Sequence, residues 1–187
     1  MTKASEKRIS AMEKIKRKII AVSDSHGSSL NLIKLFKLHP DADCFIHLGD
    51  GAREFDSLCR QNSVIGYSML GNCDMPFACP RAESPHSVYT IGEKRFFMTH
   101  GHLYSVKSSR DVLISRAREI CPDVDIILYG HTHVAENRYI SPESENDKGI
   151  YLINPGSISL PRDTRTPSYA LIMIEGSDMI TNIATIS

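Results

Sequence analysis

The stretch Ile19-Ile20-Ala21-Val22-Ser23-Asp24-Ser25-His26-Gly27 decides how this chain is read. Ile19 to Ser23 is a short, mostly apolar run entered from lysines and stopped by polar residues and a glycine, the pattern of a buried strand running into a loop. That loop carries a carboxylate, Asp24, and an imidazole, His26, two positions apart. The same grammar recurs downstream. Cys44 to Leu48 reads as a strand stopped by Gly49-Asp50-Gly51, and Val64 to Leu70 as a third stopped by Gly71-Asn72-Cys73-Asp74. Between them Ser28 or Ser29 can cap a helix with Leu30, Ile33 and Phe36 on one face, ending near His39-Pro40, and Glu54 to Arg60 reads as helical. Polar residues thus recur where successive strands end, the edge at which open α/β sheets bind ligands.

Beyond a Pro-punctuated connection, Ser87 to Ile91 and Lys94 to Thr99 flank Gly92-Glu93, which is a two-residue hairpin signal. The second arm delivers Thr99-His100-Gly101-His102. Ser109 to Ile120 reads as a helix closed by Cys121-Pro122, and Asp125 to Tyr129 as a buried strand leading into Gly130-His131-Thr132-His133. Val134 to Ile140, Gly149 to Asn154, Tyr169 to Ile174 and Met179 to Ile186 make the last third rich in strands. No internal repeat or low-complexity segment interrupts the pattern.

Taken singly, each polar loop is ordinary turn chemistry. Two alternating histidine pairs directly after apolar strands, joined by Asp24, Asp50 and Asn72 at other strand ends, are not. Imidazole, carboxylate and amide oxygen together suit borderline divalent cations, Mn2+ first with Fe, Zn, Co or Ni as alternatives, whereas magnesium or calcium would call for nearly all oxygen. Two such ions bridged by one carboxylate can share a hydroxide and hold the attacking and leaving oxygens of a displacement at phosphorus. The reaction that follows is hydrolysis of a small phosphate ester.

Composition bounds the alternatives. At 187 residues and 41% hydrophobic content the chain needs one core, so a single domain over 18–187 is expected behind a basic extension, 1–17. Seven of the first 18 residues are Lys or Arg, and the remaining 169 carry a balance of −5. Such a body lacks the basic footprint of an extended nucleic-acid surface. No run approaches a membrane span or a signal-peptide apolar region, and Cys44, Cys59, Cys73, Cys79 and Cys121 form no CxxC pair. A cytoplasmic protein that can form a homo-oligomer is the consistent expectation.

The ordered set Asp-x-His, Gly-Asp, Gly-Asn-x-Asp, His-Gly-His, Gly-His-x-His and Asn-Pro-Gly-Ser, spanning Ile19 to about Ile174, resembles the calcineurin-like metallophosphoesterases, specifically their small bacterial and archaeal phosphodiesterase branch. The resemblance implies a two-sheet β-sandwich flanked by helices, a four-layer αββα fold with metals at the sheet ends. It implies that Asp24, His26 and His133 bind one metal, that Asn72, His100 and His131 bind the other, and that Asp50 bridges them. It places Asn72, Cys73 and Asp74 on the catalytic loop, His102 and Tyr104 on the substrate side, and Asn154 where it orients a metal-bound histidine. The activity implied is phosphodiester hydrolysis by attack of a metal-bound hydroxide, with phosphomonoesterase or nucleotidase as the alternative. A subunit of the eukaryotic retromer sorting complex resembles the same fold yet serves as an interaction scaffold. Asp50 and Asn72, altered there, are intact here. One departure from the wider superfamily stands out: Cys73 occupies the position where many members carry a histidine able to protonate the leaving oxygen.

Overall fold

The computed structural model describes residues 16–75, 84–142, 144, 147–163 and 166–187. The basic extension lies outside these except for Lys16 and Arg17, which open the first strand.

Among the described residues, ten strands form two mixed sheets. The first contains β1 (Lys16–Val22), β2 (Cys44–His47), β3 (Gly66–Ser68), β9 (Ser168–Glu175) and β10 (Asp178–Thr185), in the order β10-β9-β1-β2-β3. The second contains β4 (His86–Ile91), β5 (Lys94–Thr99), β6 (Ile126–Leu128), β7 (Ala135–Ile140) and β8 (Ile150–Pro155), in the order β4-β5-β6-β8-β7. Within each sheet three strands run parallel, β1-β2-β3 and β5-β6-β8, and the flanking strands are antiparallel. Among the described residues, three α-helices flank the sheets: α1 (Leu30–Leu38), α2 (Ala52–Asn62) and α3 (Asp111–Ile120).

Alternation along the strands builds the layers, because successive side chains leave opposite faces. Ile19 and Ala21 of β1 pack with Ile46, Phe96, Met98, Leu128 and Ile172 between the sheets. Ile20 and Val22 face outward onto Leu32, Leu35 and Phe36 of α1 and Phe55 and Leu58 of α2. On the far side, Phe97, Ile127 and Leu152 lie under Leu113 and Ala117 of α3. The result is the four-layer αββα sandwich that the resemblance implies.

Local details differ from the sequence reading. α1 buries Leu32, Leu35 and Phe36, while Leu30 is 63% exposed and Ile33 is also exposed, and Ser29 makes no side-chain cap. Two apolar stripes overlap on this helix, and contact with β1 and α2 selects the one that faces the sheet. β3 is shorter than Val64 to Leu70 because it pairs with β2 only from Gly66 to Ser68. Ser109 and Arg110 precede α3, and Ser109 donates its hydroxyl to Asp111. Among the described residues no helix is long and apolar enough to cross a membrane, and Cys44, Cys59, Cys73 and Cys121 are free thiols.

Candidate metal centre

The parallel strands aim their carboxyl ends at one edge of the sandwich. β1 delivers Asp24 and His26, β2 delivers Asp50, and β3 leads to Asn72. From the other sheet β5 delivers His100, and β6 delivers His131 and His133. All seven residues singled out as metal ligands therefore meet where the two sheets face one another.

The donor atoms converge in two groups. In the first, His133 Nε2 lies 3.2 Å from Asp24 Oδ1 and 3.2 Å from His26 Nε2. In the second, His100 Nε2 lies 3.2 Å from Asn72 Oδ1 and 3.2 Å from His131 Nδ1. Asp50 Oδ2 stands between the groups, 3.8 Å from His26 Nε2 and 3.6 Å from His100 Nε2. Cys73 joins a third cluster with His26 and Asp50, in which the donor atoms lie within 4.8 Å of one another.

Hydrogen bonds settle which ring nitrogens are free. The Leu48 carbonyl accepts from His100 Nδ1 at 2.7 Å, and the Leu160 carbonyl accepts from His133 Nδ1 at 2.7 Å. In each neutral ring the proton is thereby fixed on Nδ1, leaving the Nε2 lone pair for the centre. Both carboxylates divide their oxygens. Asp24 Oδ2 accepts the His131 N–H at 3.0 Å, while the buried Oδ1 has no hydrogen-bond donor. Asp50 Oδ1 accepts the Cys73 N–H at 2.8 Å, and Oδ2 is the atom between the two groups. Lone pairs facing lone pairs in a buried place are unfavourable unless a cation lies among them. The residues present therefore fit divalent ions.

The electrostatics agree. Burial, with help from neighbouring His100, pushes the His131 imidazole down to about 4 and so keeps it neutral. Burial alone would raise the Asp24 carboxyl, but His133 and His100 hold it below the usual range. His133 is raised, mainly by Asp24. Positive charge is thus favoured beside Asp24 and opposed at His131.

Backbone strain marks the same residues. Asp24, His26, Asp50, His131 and His133 have φ of 55°, 46°, 58°, 68° and 59°. Each left-handed non-glycine residue costs on the order of 1 kcal/mol, and such strain persists where surrounding structure over-determines it.

The loops are held by residues whose roles the sequence did not disclose. Asp74, expected on the catalytic loop, accepts the backbone N–H groups of Asp50, Gly51, Ala52 and Gly71 at 2.7 to 3.2 Å. Its carboxylate ties the β3 loop to the β2 loop and to the first turn of α2. Asn154 donates to the Gly130 carbonyl and to Thr132 Oγ1, bracketing His131 by its backbone rather than its ring. Ser157 and Ser159 donate to the Asp24 carbonyl. His47, read simply as part of a strand, is fully buried. Its Nδ1 accepts the Gly49 N–H, so Nε2 carries the proton and donates to Ser25 Oγ at 3.0 Å.

The two residues read as substrate-side part company. His102 lies beside the second group, its ring 5.4 Å from His100 and 6.1 Å from His131. Tyr104 is buried under α3 against Phe97, and its hydroxyl pairs with His86 Nδ1 at 2.8 Å. That hydroxyl is engaged within the outer layer by His86. Cys73 is exposed at the rim, its thiol raised by burial and by Asp50.

Residues 18–177 match the family model of the calcineurin-like phosphoesterase superfamily domain. The chain belongs to the calcineurin-like phosphoesterase superfamily. This phosphoesterase is 35% identical to the probable metallophosphoesterase YsnB of Bacillus subtilis over 159 residues, 84% of each chain. It is 29% identical to the phosphodiesterase YfcE of Escherichia coli strain K12 over 177 residues, 83% of this chain and 86% of that one. Among solved structures, a Vps29 double mutant from Entamoeba histolytica superposes with a TM-score of 0.66 at 21% identity, covering 91% of this phosphoesterase and 99% of that chain, a likeness in fold alone.

Proposed function

We propose that this phosphoesterase is a dinuclear metal-dependent phosphodiesterase. In this reading Asp24, His26 and His133 hold one divalent cation, Asn72, His100 and His131 hold the other, and Asp50 serves both. The observation that carries it is the position of Asp50 Oδ2 between His26 and His100, with Oδ1 tied to the Cys73 N–H. A cation pair so held supplies Lewis acidity toward phosphate oxygens and activates water at neutral pH. The chain's own contribution is orientation. Leu48 and Leu160 set the tautomers of His100 and His133, Asp74 fixes the Asp50 loop, and Asn154 fixes the backbone around His131. Nitrogen donors favour manganese, iron, zinc, cobalt or nickel over magnesium, and manganese is the first choice.

A diester is favoured over a monoester by the resemblance to the phosphodiesterase YfcE. Cys73 is a poor hydrogen-bond donor whose thiol is shifted further from acidity, so a leaving group that departs unprotonated is the natural substrate. The test is to load metal-free protein with Mn2+ and measure metal content and hydrolysis together. Two ions per chain and faster turnover of bis(p-nitrophenyl) phosphate than of p-nitrophenyl phosphate are expected. Asp50→Ala is expected to bind fewer than two and to lose more activity than Asp24→Ala. Full activity in protein shown to be metal-free would sink the reading.

A further inference from the structure

A cleft of about 340 Å³ leads from the candidate centre along the first turn of α2, lined by His26, Asp50, Arg53, Glu54, Cys73 and Met75 among others. It starts at two of the converging donors and ends at groups that the centre does not use. Asp50 and Asp74 are occupied, the first between the donor groups and the second by four backbone N–H groups. Arg53 is not. Among the described residues its guanidinium has no hydrogen-bond or ion-pair partner. Met75, also on the lining, is 75% exposed.

We propose that this cleft is the subsite for one arm of the substrate, and that the arm is nucleotide-like and carries a further phosphate held by Arg53. The proposal rests on the phosphodiesterase reading, since it takes the reacting phosphate to lie at the donors where the cleft begins. A guanidinium stays charged at any working pH and can grip phosphate through two parallel N–H donors. The end of α2 is not itself the anion site, because Asp74 already accepts the Gly51 and Ala52 N–H groups. Glu54 would repel a phosphate placed against it, which leaves the Arg53 side of the lining for the phosphate. The flexible thioether of Met75 offers a planar ring an apolar surface. A cleft of this size lies within the range of small-ligand sites.

The test compares thymidine 5′-(p-nitrophenyl phosphate) with the same compound bearing a 3′-phosphate, using Mn2+-loaded protein. The wild type is expected to favour the 3′-phosphorylated compound by about 10- to 100-fold in kcat/KM, mostly through KM, the scale of a charge-assisted contact. Arg53→Ala should bring the ratio close to one, and Arg53→Lys should retain part of it. Calorimetric binding of thymidine 3′,5′-bisphosphate against the 5′-monophosphate supplies the same ratio without turnover. Equal values for the two compounds in the wild type would overturn the subsite, as would a preference that survives in Arg53→Ala. If metal-loaded protein hydrolyses no ester, the phosphodiesterase reading fails by itself, and the calorimetric ratio decides the subsite.

Discussion

At Asp24 and Asp50, one carboxylate oxygen accepts a backbone N–H and the other turns toward the imidazoles. A side chain that must both anchor a loop and serve the centre cannot be shortened or neutralised without loss of one task. Cys73, one position beyond Asn72, has a different consequence. With a thiol where a histidine would supply an acid, leaving-group departure depends on the substrate, so aryl diesters should be hydrolysed much faster than alkyl diesters. Cys73→His should flatten the dependence of rate on leaving-group pKa by supplying about 10²- to 10⁴-fold to poor leaving groups, whereas Cys73→Ser should change little. A leaving-group series on all three proteins checks this; a shallow dependence in the natural protein would point to another acid, such as His102. The residues that converge at the sheet ends stood out in the sequence because histidine and aspartate there are chemically distinctive. Asp74 as a clamp did not, since its role exists only when the β2 and β3 loops meet.

Among the elements, the β2 and β3 loops approach more closely than side chains allow. A Cβ on Gly71 would land on Asp50 Oδ1 and on the Asp50 backbone nitrogen, which cannot both move away. Gly71→Ala is therefore expected to fold with a displaced Asp50 loop and to lose cation binding, measurable by titration with Mn2+. His47 in β2 gives the neighbouring test. Burial, opposed by Asp74, Asp24 and Asp56 and assisted by His100, pushes its imidazole down to about 4, against 6.5 when unperturbed. The neutral ring is favoured in the folded state, so its contribution is complete above pH 6.5 and is lost as pH falls toward 4, by on the order of 3 kcal/mol. Urea unfolding between pH 7 and 4.5 should show a shallower loss for His47→Gln than for the wild type; parallel curves would refute it. The alternation of strand and helix was legible from Ile19 to Leu70, but the buried face of α1 was not, because Leu30, Ile33 and Phe36 and the observed Leu32, Leu35 and Phe36 are both apolar stripes. His47 looked like any polar residue in an apolar strand until Ser25 and Gly49 were brought to it.

Across the whole molecule, each donor group takes residues from both sheets, Asp24 and His26 with His133, and Asn72 with His100 and His131. On the proposed reading, cations bound there would tie one sheet to the other in the folded state alone. Mn2+ at about 100 times its dissociation constant should stabilise the fold by about 3 kcal/mol and raise the melting temperature by roughly 5 to 10 °C, with EDTA reversing the shift. Calorimetric scans check this, and Asp50→Ala should respond much less. The topology has a further consequence during synthesis. β1, which leads into Asp24 and His26, has β2 on one side and β9, formed by Ser168–Glu175, on the other. A nascent chain that has emerged from the ribosome only through β8 already contains every donor residue but lacks the strand that flanks β1. A ribosome-bound intermediate of that length would carry all seven candidate ligands before the sheet that positions Asp24 and His26 is complete.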